Sequence, residues 1–282
     1  MPRIHWLEQI GITKNPFRDT IDPDLFYRTQ QHEEVLTKIC LGIEDCHATI
    51  LLTGASGTGK TMLSQVALRS LDRLRFEPEF VLVYPGMGKG DLLGAILKEL
   101  AADHIPRQTA DKLALVQDKA LDLHGKGKRL VVIIDEAHFL KADALHILRS
   151  LSNLETELEK LITVLLIGEE SLRSRLNRPS YASIKGRIVF SLKLAPLSFA
   201  DTIQYVKYRL LKCNLPVHTV EKEALNIVHQ CTTGIPRAIN RIMYLGLLES
   251  AATNGVMITP AIVQRVSQTA GISHGKNCAV TP

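Results

Sequence analysis

One run of eight residues, Gly54-Ala55-Ser56-Gly57-Thr58-Gly59-Lys60-Thr61, constrains this chain more than any other stretch. It follows a short apolar segment, Ala48 to Thr53, that reads as a strand. It opens a segment, Lys60 to Leu71, in which Leu63, Val66, Ala67 and Leu71 recur at helical spacing. The glycines let the backbone curl so that successive N–H groups converge, and a helix beginning at the end of the curl adds the positive end of its dipole. Strand, curl and helix in succession make a cradle for the β- and γ-phosphates of a nucleotide. Lys60 supplies a point charge to those phosphates, and the Thr61 hydroxyl is placed to complete the shell of a Mg²⁺ ion. Gly54, Ala55, Ser56, Gly57, Thr58, Gly59, Lys60 and Thr61 are therefore the candidate ATP-binding residues, with Thr61 also a candidate metal ligand.

The surrounding pattern is that of a parallel sheet between helices. Phe80 to Tyr84 reads as a second strand, closed by Pro85-Gly86. Asp91 can cap a helix running through Ala101. Thr109 can cap another, whose Leu113, Val116, Ala120 and Leu123 form a stripe before Gly125. Leu130 to Asp135 and Leu161 to Ile167 are continuous apolar runs of strand length, as expected for strands covered on both faces. After Pro196 no further strand-like run appears. Ser198 and Asp201 resemble a capping box before Phe199 to Lys212, and Thr259 followed by Pro260 starts a last helix. The expected organisation is an α/β domain over residues 1–194, a small all-helical domain over 195–270 and a flexible tail over 271–282.

A phosphate cradle binds but does not by itself hydrolyse. The strand Leu130 to Asp135 ends in two adjacent acids, Asp135 and Glu136, at the edge of the sheet where nucleotides sit in such folds. Asp135 can orient Mg²⁺ directly or through water, and Glu136 can polarise the attacking water as a general base. The letters Asp135-Glu136-Ala137-His138 invite a helicase reading, but no second sheet-and-helix motor and no paired arginine motif follow. His138 is left open between a structural residue and a sensor of nucleotide state.

Composition removes other classes. In 282 residues there are 18 Gly and 12 Pro, spread along the chain, and no apolar run approaches the length of a membrane helix, so collagen-like, disordered and membrane-spanning classes drop out. No internal repeat is visible. Basic residues exceed acidic ones by 34 to 29, a net charge of +5 that tolerates an anionic partner without requiring one. Cys40, Cys46, Cys213, Cys231 and Cys278 lack close CxxC pairing, which supports neither a disulfide framework nor a zinc module. The start, Met1-Pro2-Arg3-Ile4-His5-Trp6, has no long apolar stretch, so a cytoplasmic protein is expected.

Further stretches resemble a known family. Ile10-Gly11-Ile12-Thr13-Lys14-Asn15-Pro16-Phe17, Asp22-Pro23-Asp24-Leu25-Phe26-Tyr27 and Gln31-His32-Glu33-Glu34-Val35-Leu36 are similar to the leading segment of the ExeA/GspA-type AAA+ ATPases, which are related to the MuB, TniB and TnsC transposition ATPases. Leu151-Ser152-Asn153-Leu154-Glu155 and Gly234-Ile235-Pro236-Arg237-Ala238-Ile239-Asn240 extend the resemblance over nearly the whole chain. It implies a P-loop AAA+ domain with a helical lid, and homo-oligomeric rings or helical filaments that hold ATP between neighbours. It also implies that Arg187, in Gly186-Arg187-Ile188, matches an arginine finger reaching the next subunit, with Arg173, Arg175 and Arg178 competing for the role. Arg237 matches the lid arginine called sensor 2. One departure stands out: the family typically has Gly-Gln-Pro-Glu-Leu after the fourth strand, and this chain has Gly168-Glu169-Glu170-Ser171-Leu172. An ionised Glu only accepts hydrogen bonds, so Glu169 either faces the water or slows turnover.

Three uses of the ATP are open at this point. ATP-driven assembly can serve a secretion or pilus machine through a partner protein. That reading expects no membrane span and no cell-wall-binding domain in a chain ending at Pro282. Alternatively, the oligomer wraps duplex DNA through Lys89 and the cluster Lys126, Lys128 and Arg129 and recruits a transposase, with affinity that falls as salt rises. A P-loop kinase with a small-molecule acceptor is the third reading, disfavoured by the two arginines that belong to an oligomeric switch.

Overall fold

The structure is a computed structural model that describes residues 6–157, 159–253, 255 and 257–272; the side chain of Gln9 and most of the expected tail, with Cys278, lie outside the described residues. In chain order the elements are α1 (Trp6–Gln9), α2 (Gln30–Glu44), β1 (Thr49–Gly54), α3 (Lys60–Ser70), β2 (Phe76–Leu82), α4 (Lys89–Glu99), α5 (Thr109–Gly125) and β3 (Arg129–Asp135). There follow α6 (Ala142–Leu151), β4 (Ile162–Gly168), α7 (Glu170–Leu176), α8 (Ala182–Lys185), β5 (Ile188–Leu194), α9 (Phe199–Lys212), α10 (Lys222–Thr232), α11 (Pro236–Ala252) and α12 (Pro260–Thr269). They gather into two compact units: residues 30–56 with 60–194, and the chain up to Thr29 with Gly57–Gly59 and the chain from Ala195.

The first unit is built on a five-stranded sheet in the order β2-β3-β4-β1-β5, with every neighbouring pair parallel. β1 and β4 are buried along their whole length and β3 along all but its first residue. Strands covered on both faces have no polar side to display, and their sequences are correspondingly unbroken apolar runs. On one face, Leu130, Val132, Ile134, Ile162, Val164 and Leu166 share a core with Leu92, Leu93, Ile96 and Leu97 of α4, Val116 and Ala120 of α5, and Leu145 and Leu148 of α6. On β1, β4 and β5 lie helices α2 and α3.

The two edge strands depart from the sequence reading. β2 begins at Phe76, four residues before the expected Phe80, because Glu77, Pro78 and Glu79 interrupt the apolar pattern. An edge strand, with a partner on one side alone, is where a sheet tolerates a proline. β5 was not expected as a strand at all. Its Leu192 and Leu194 are buried while Val189, Ser191 and Lys193 are exposed, the alternation of a strand with one open face. The helix expected to be capped by Asp91 starts instead at Lys89, after Gly88, whose N–H donates to the Asp91 carboxylate at 3.1 Å.

In the second unit, Val206, Leu210, Val228, Ile239, Ile242, Met243, Leu247 and Val263 form a core with Ile10, Ile12 and Phe17 of the lead segment. The sequence reading grouped that segment with the sheet. It packs with the helices because its apolar residues are buried there and because Arg209, 3% exposed, donates from Nε to the Pro16 carbonyl at 2.6 Å. The same guanidinium donates from Nη1 to the Tyr205 hydroxyl and, at 3.3 Å, to Asn240 Oδ1. Ser198 Oγ accepts from the Asp201 N–H at 3.1 Å and Thr259 Oγ1 from the Ile262 N–H at 3.4 Å, so both expected caps start their helices, α9 and α12. Between α10 and α11, Gly234 has φ +75°, and a Cβ there would lie 2.0 Å from the Leu197 carbonyl oxygen.

Gly234→Ala is therefore expected to lower stability by about 3 kcal/mol, combining left-handed backbone strain with a clash against main chain. Gly125→Ala, with open space around it and no such backbone angle, should be neutral or slightly stabilising in the same denaturant titration. On β2, partial burial and the nearby Glu77 and Glu99 carboxylates raise the Glu79 pKa from 4.5 to about 7, against the smaller opposing effect of Arg73. The neutral form suits the fold, so this contribution to stability is complete below about pH 4.5 and is lost as pH rises through 7. Glu79→Gln should raise the melting temperature at pH 8 and leave it unchanged near pH 4; equal effects at both would contradict this origin.

Candidate functional site

The carboxyl ends of the central strands meet at one edge of the sheet, where Gly54 ends β1, Asp135 ends β3 and Gly168 ends β4. This is the edge at which open parallel sheets bind ligands. Gly57 and Gly59 in the turn after β1 have φ of +78° and +97°, angles that a side chain would strain. Among the described residues, a Cβ on Gly59 would meet nothing within 4 Å. Lys60 is buried at the start of α3 and its Nζ donates to the carbonyls of Gly54 and Ala55, each at 3.0 Å. These bonds lay the ammonium group back against the turn.

Thr61, the second residue of α3, donates from Oγ1 to Asp135 Oδ2 at 2.6 Å. β1 and β3 are not neighbours, since β4 lies between them, so this bond joins the cradle to the acids across the end of a strand. Asp135 is 2% exposed, and its other oxygen accepts the N–H of Glu136 at 2.8 Å. A hydroxyl and a carboxylate oxygen this close, beside a buried lysine, fit a triphosphate with its Mg²⁺. Thr61 and Asp135 are the two groups that would hold the ion.

Glu136 departs from ordinary backbone geometry. Its φ and ψ are 57° and 32°, the left-handed region, which costs a non-glycine residue roughly 1 kcal/mol. Such a conformation persists where the neighbours determine it. Here the Asp135 carboxylate holds the Glu136 N–H, and the Glu136 carbonyl accepts from Phe139 N–H at 3.0 Å. Beside it lies a residue the sequence left open: His138 Nδ1 is 3.3 Å from Glu136 Oε2, with the His138 side chain 11% exposed and that of Glu136 36% exposed. Only the adjacency of His138 to the acids in sequence pointed to it. Glu169 follows Gly168 at the same edge and precedes the first turn of α7.

The arginines separate clearly. Arg173 donates from Nε to Thr53 Oγ1 at 3.1 Å and from Nη2 to the Leu192 carbonyl at 2.7 Å. Arg175 donates to the Tyr181 hydroxyl at 3.1 Å and to the Leu140 carbonyl at 2.6 Å. Both are engaged within their own unit. Arg178 is exposed. Arg187 precedes β5, whose first residue Ile188 pairs with Thr49 at the start of β1, so it lies at the edge of the sheet opposite the cradle. Its Nε is buried without a hydrogen-bond partner among the described residues. Arg237 lies in the first turn of α11 and its N–H donates to the Gly57 carbonyl at 3.2 Å.

The basic residues proposed for DNA do not come together. Lys89 starts α4, after the carboxyl end of β2, whereas Lys128 and Arg129 lead into β3, whose Arg129 pairs with Phe76 at the start of β2. A strand of seven residues puts about 20 Å between the two groups. Lys126 pairs with Asp122 at 2.6 Å and Lys128 with Glu77 at 2.8 Å. Arg129 is 12% exposed, lies 3.5 Å from Glu159 and donates to the Ile43 carbonyl at 3.0 Å. Each of the three thus has a local acidic partner, although Lys126 and Asp122 are themselves exposed and only Arg129 is withdrawn from solvent.

The AAA domain family matches residues 45–176, the stretch that holds the cradle and both acids. The chain contains an AAA domain of the ExeA/GspA type. It is 36% identical over 247 residues to the general secretion pathway protein A of Aeromonas hydrophila, an alignment that takes in 86% of this chain and 44% of that protein. This chain thus spans less than half the length of the curated relative. Among solved structures it resembles the Aeropyrum pernix ORC2 protein in its ADPNP-ADP complexes, with a TM-score of 0.69 and 16% identity over 96% of this chain and 74% of that one. Drosophila ORC bound to DNA gives a TM-score of 0.70 and 18% identity over 97% and 68%. At those identities the two structures report the fold: a P-loop AAA+ sheet with flanking helices. Among the described residues no helix is long and apolar enough to cross a membrane, and no group of three or more His, Cys, Asp or Glu could hold a metal ion.

Proposed function

We propose that this chain is a Mg-ATP-dependent ATPase whose nucleotide-driven self-assembly serves a larger machine of secretion or pilus type. The observation that carries the ATPase part is the Thr61–Asp135 hydrogen bond at 2.6 Å, which brings the phosphate cradle and the acidic strand end within reach of one ion. When bound, Mg²⁺ neutralises charge building on the β- and γ-phosphates. Lys60 leaves its carbonyl partners for the phosphates, the glycine curl offers its N–H groups, and Glu136 takes the proton of the attacking water. Arg237 couples nucleotide occupancy to the helical unit in this reading, and Arg187 acts on the site of a second copy.

The secretion reading draws on the likeness to a general secretion pathway protein. The DNA reading keeps exposed Lys89 and Lys126 and is weakened at Lys128 and Arg129, which are paired with Glu77 and Glu159. It is therefore the alternative.

Lys60→Ala should abolish ATP binding in a titration, while Glu136→Gln should bind ATP normally and turn over about 10²- to 10⁴-fold more slowly. Equal loss of binding in both variants would contradict the assigned roles. In sedimentation, the wild type should be larger with ATP than with ADP or no nucleotide. Monomers under every condition would remove the shared site, and an ATP-dependent shift only with duplex DNA at low salt would favour the alternative.

A further inference from the structure

The general base proposed above hangs on a flexible side chain, half-exposed at the end of a strand. A glutamate in that setting samples several rotamers, and a reacting group displaced by about an ångström loses much of its rate. Something must hold it. The backbone on either side is fixed by the Asp135 carboxylate and by the Phe139 N–H, but those bonds leave the carboxylate itself free to turn.

His138 meets the requirement. Its Nδ1 is buried, makes no hydrogen bond among the described residues, and lies 3.3 Å from Glu136 Oε2. The ring has little room to swing: it leans on the Phe139 ring at 4.0 Å between centroids and 38° between planes. Its main chain is tight against the end of β4, where a Cβ on Gly168 would come within 3.3 Å of the His138 nitrogen. An ionised carboxylate is an acceptor on every lone pair, and a neutral imidazole with its proton on Nδ1 is a donor toward it. With its proton on Nδ1 the buried ring nitrogen is a donor that has the Glu136 carboxylate 3.3 Å away, and each group then answers the other's need.

We infer that His138 is a positioning residue for Glu136, its Nδ1–H holding the carboxylate in one orientation at the end of β3. The inference rests on the ATPase reading for its purpose and on the geometry for its existence. It acts on the placement of the base and leaves nucleotide binding to the cradle.

The test compares His138→Ala, His138→Asn and His138→Gln with the wild-type chain in steady-state ATP hydrolysis and ATP titration. The Asn amide nitrogen falls near the place of Nδ1, and that of Gln near Nε2. His138→Ala should lower kcat about 10- to 100-fold with KM and ATP affinity within twofold. Asn should recover most of the loss and Gln little. In a Glu136→Gln background, His138→Ala should have no further effect. Nitrogen NMR of the imidazole, free of any nucleotide, should find the proton on Nδ1 and a shift of that resonance in Glu136→Gln. An unchanged or raised kcat in His138→Ala, equal rescue by Asn and Gln, or a bare Nδ1 would each overturn the inference. If His138→Ala fails to fold, the Asn and Gln pair and the NMR decide it alone. Wild-type protein that neither binds nor hydrolyses ATP would bring down the ATPase reading itself, whereas wild-type turnover with an unaffected His138→Ala brings down only this one.

Discussion

The hydrogen bond from Thr61 to Asp135 is the interaction on which the geometry of the candidate site depends. Strand order makes it necessary: with β4 between β1 and β3, no backbone pairing ties the turn after β1 to the end of β3. A side chain has to do it, and a hydroxyl donating to a carboxylate is worth more than a neutral pair, about 1.5–3 kcal/mol where both are shielded. The end of β4 is shaped to match. Gly168 has no side chain, and a Cβ there would lie 2.8 Å from Leu172 Cδ2 and 3.3 Å from the His138 nitrogen. The absent methyl lets α7 and the segment after the acids close on the same strand end.

What could be read in the sequence follows from what was local or wholly buried. The cradle is eight consecutive residues whose function is written in their own backbone demands, and the central strands are apolar throughout because both their faces are covered. The edges were harder. β5 alternates weakly around Val189 and Ser191, and the first half of β2 is hidden under Glu77, Pro78 and Glu79, because an edge strand needs neither continuous apolarity nor every N–H. Lys126, Lys128 and Arg129 read as one basic cluster; each has its own acidic partner in the fold, and Glu77 and Glu159 are too distant in sequence to be anticipated. Glu136 and His138 are two positions apart, but their approach depends on a left-handed residue that no propensity would place there.

The lead segment makes the same point through a buried charge. Arg209 is met by a carbonyl of Pro16, the Tyr205 hydroxyl and the Asn240 amide, all neutral oxygens. A guanidinium removed from water is costly unless its donors find acceptors. Two of the three come from the helices themselves; the third comes from a residue 193 positions away in the chain. The penalty of burying Arg209 is thus offset in part by residues that also bring in Phe17, 1% exposed beside them. Spacing within α9 shows an arginine on an otherwise apolar face. Only the fold shows that the lead segment supplies the missing acceptor.

The direction of the strands limits what one copy can accomplish. In a parallel sheet every cradle-forming end lies on one side and every strand start on the other. Arg187 introduces β5 at a strand start, beside Thr49, while Lys60, Thr61 and Asp135 gather at strand ends. The seven residues of β5 separate those edges by about 20 Å, well beyond the reach of a guanidinium on its own stem. If Arg187 is to touch a γ-phosphate, that phosphate belongs to another copy. Arg173 and Arg175, nearer in sequence to the end of β4, cannot take its place without giving up the bonds that fasten α7 to β1, β5 and the Leu140 carbonyl. Polarity of the sheet and the bonds that hold Arg173 and Arg175 thus bear on the proposal alone: within it, an Arg187 that meets a γ-phosphate does so on another copy, and exposed Arg178 is the competitor whose side chain no such bond fastens among the described residues.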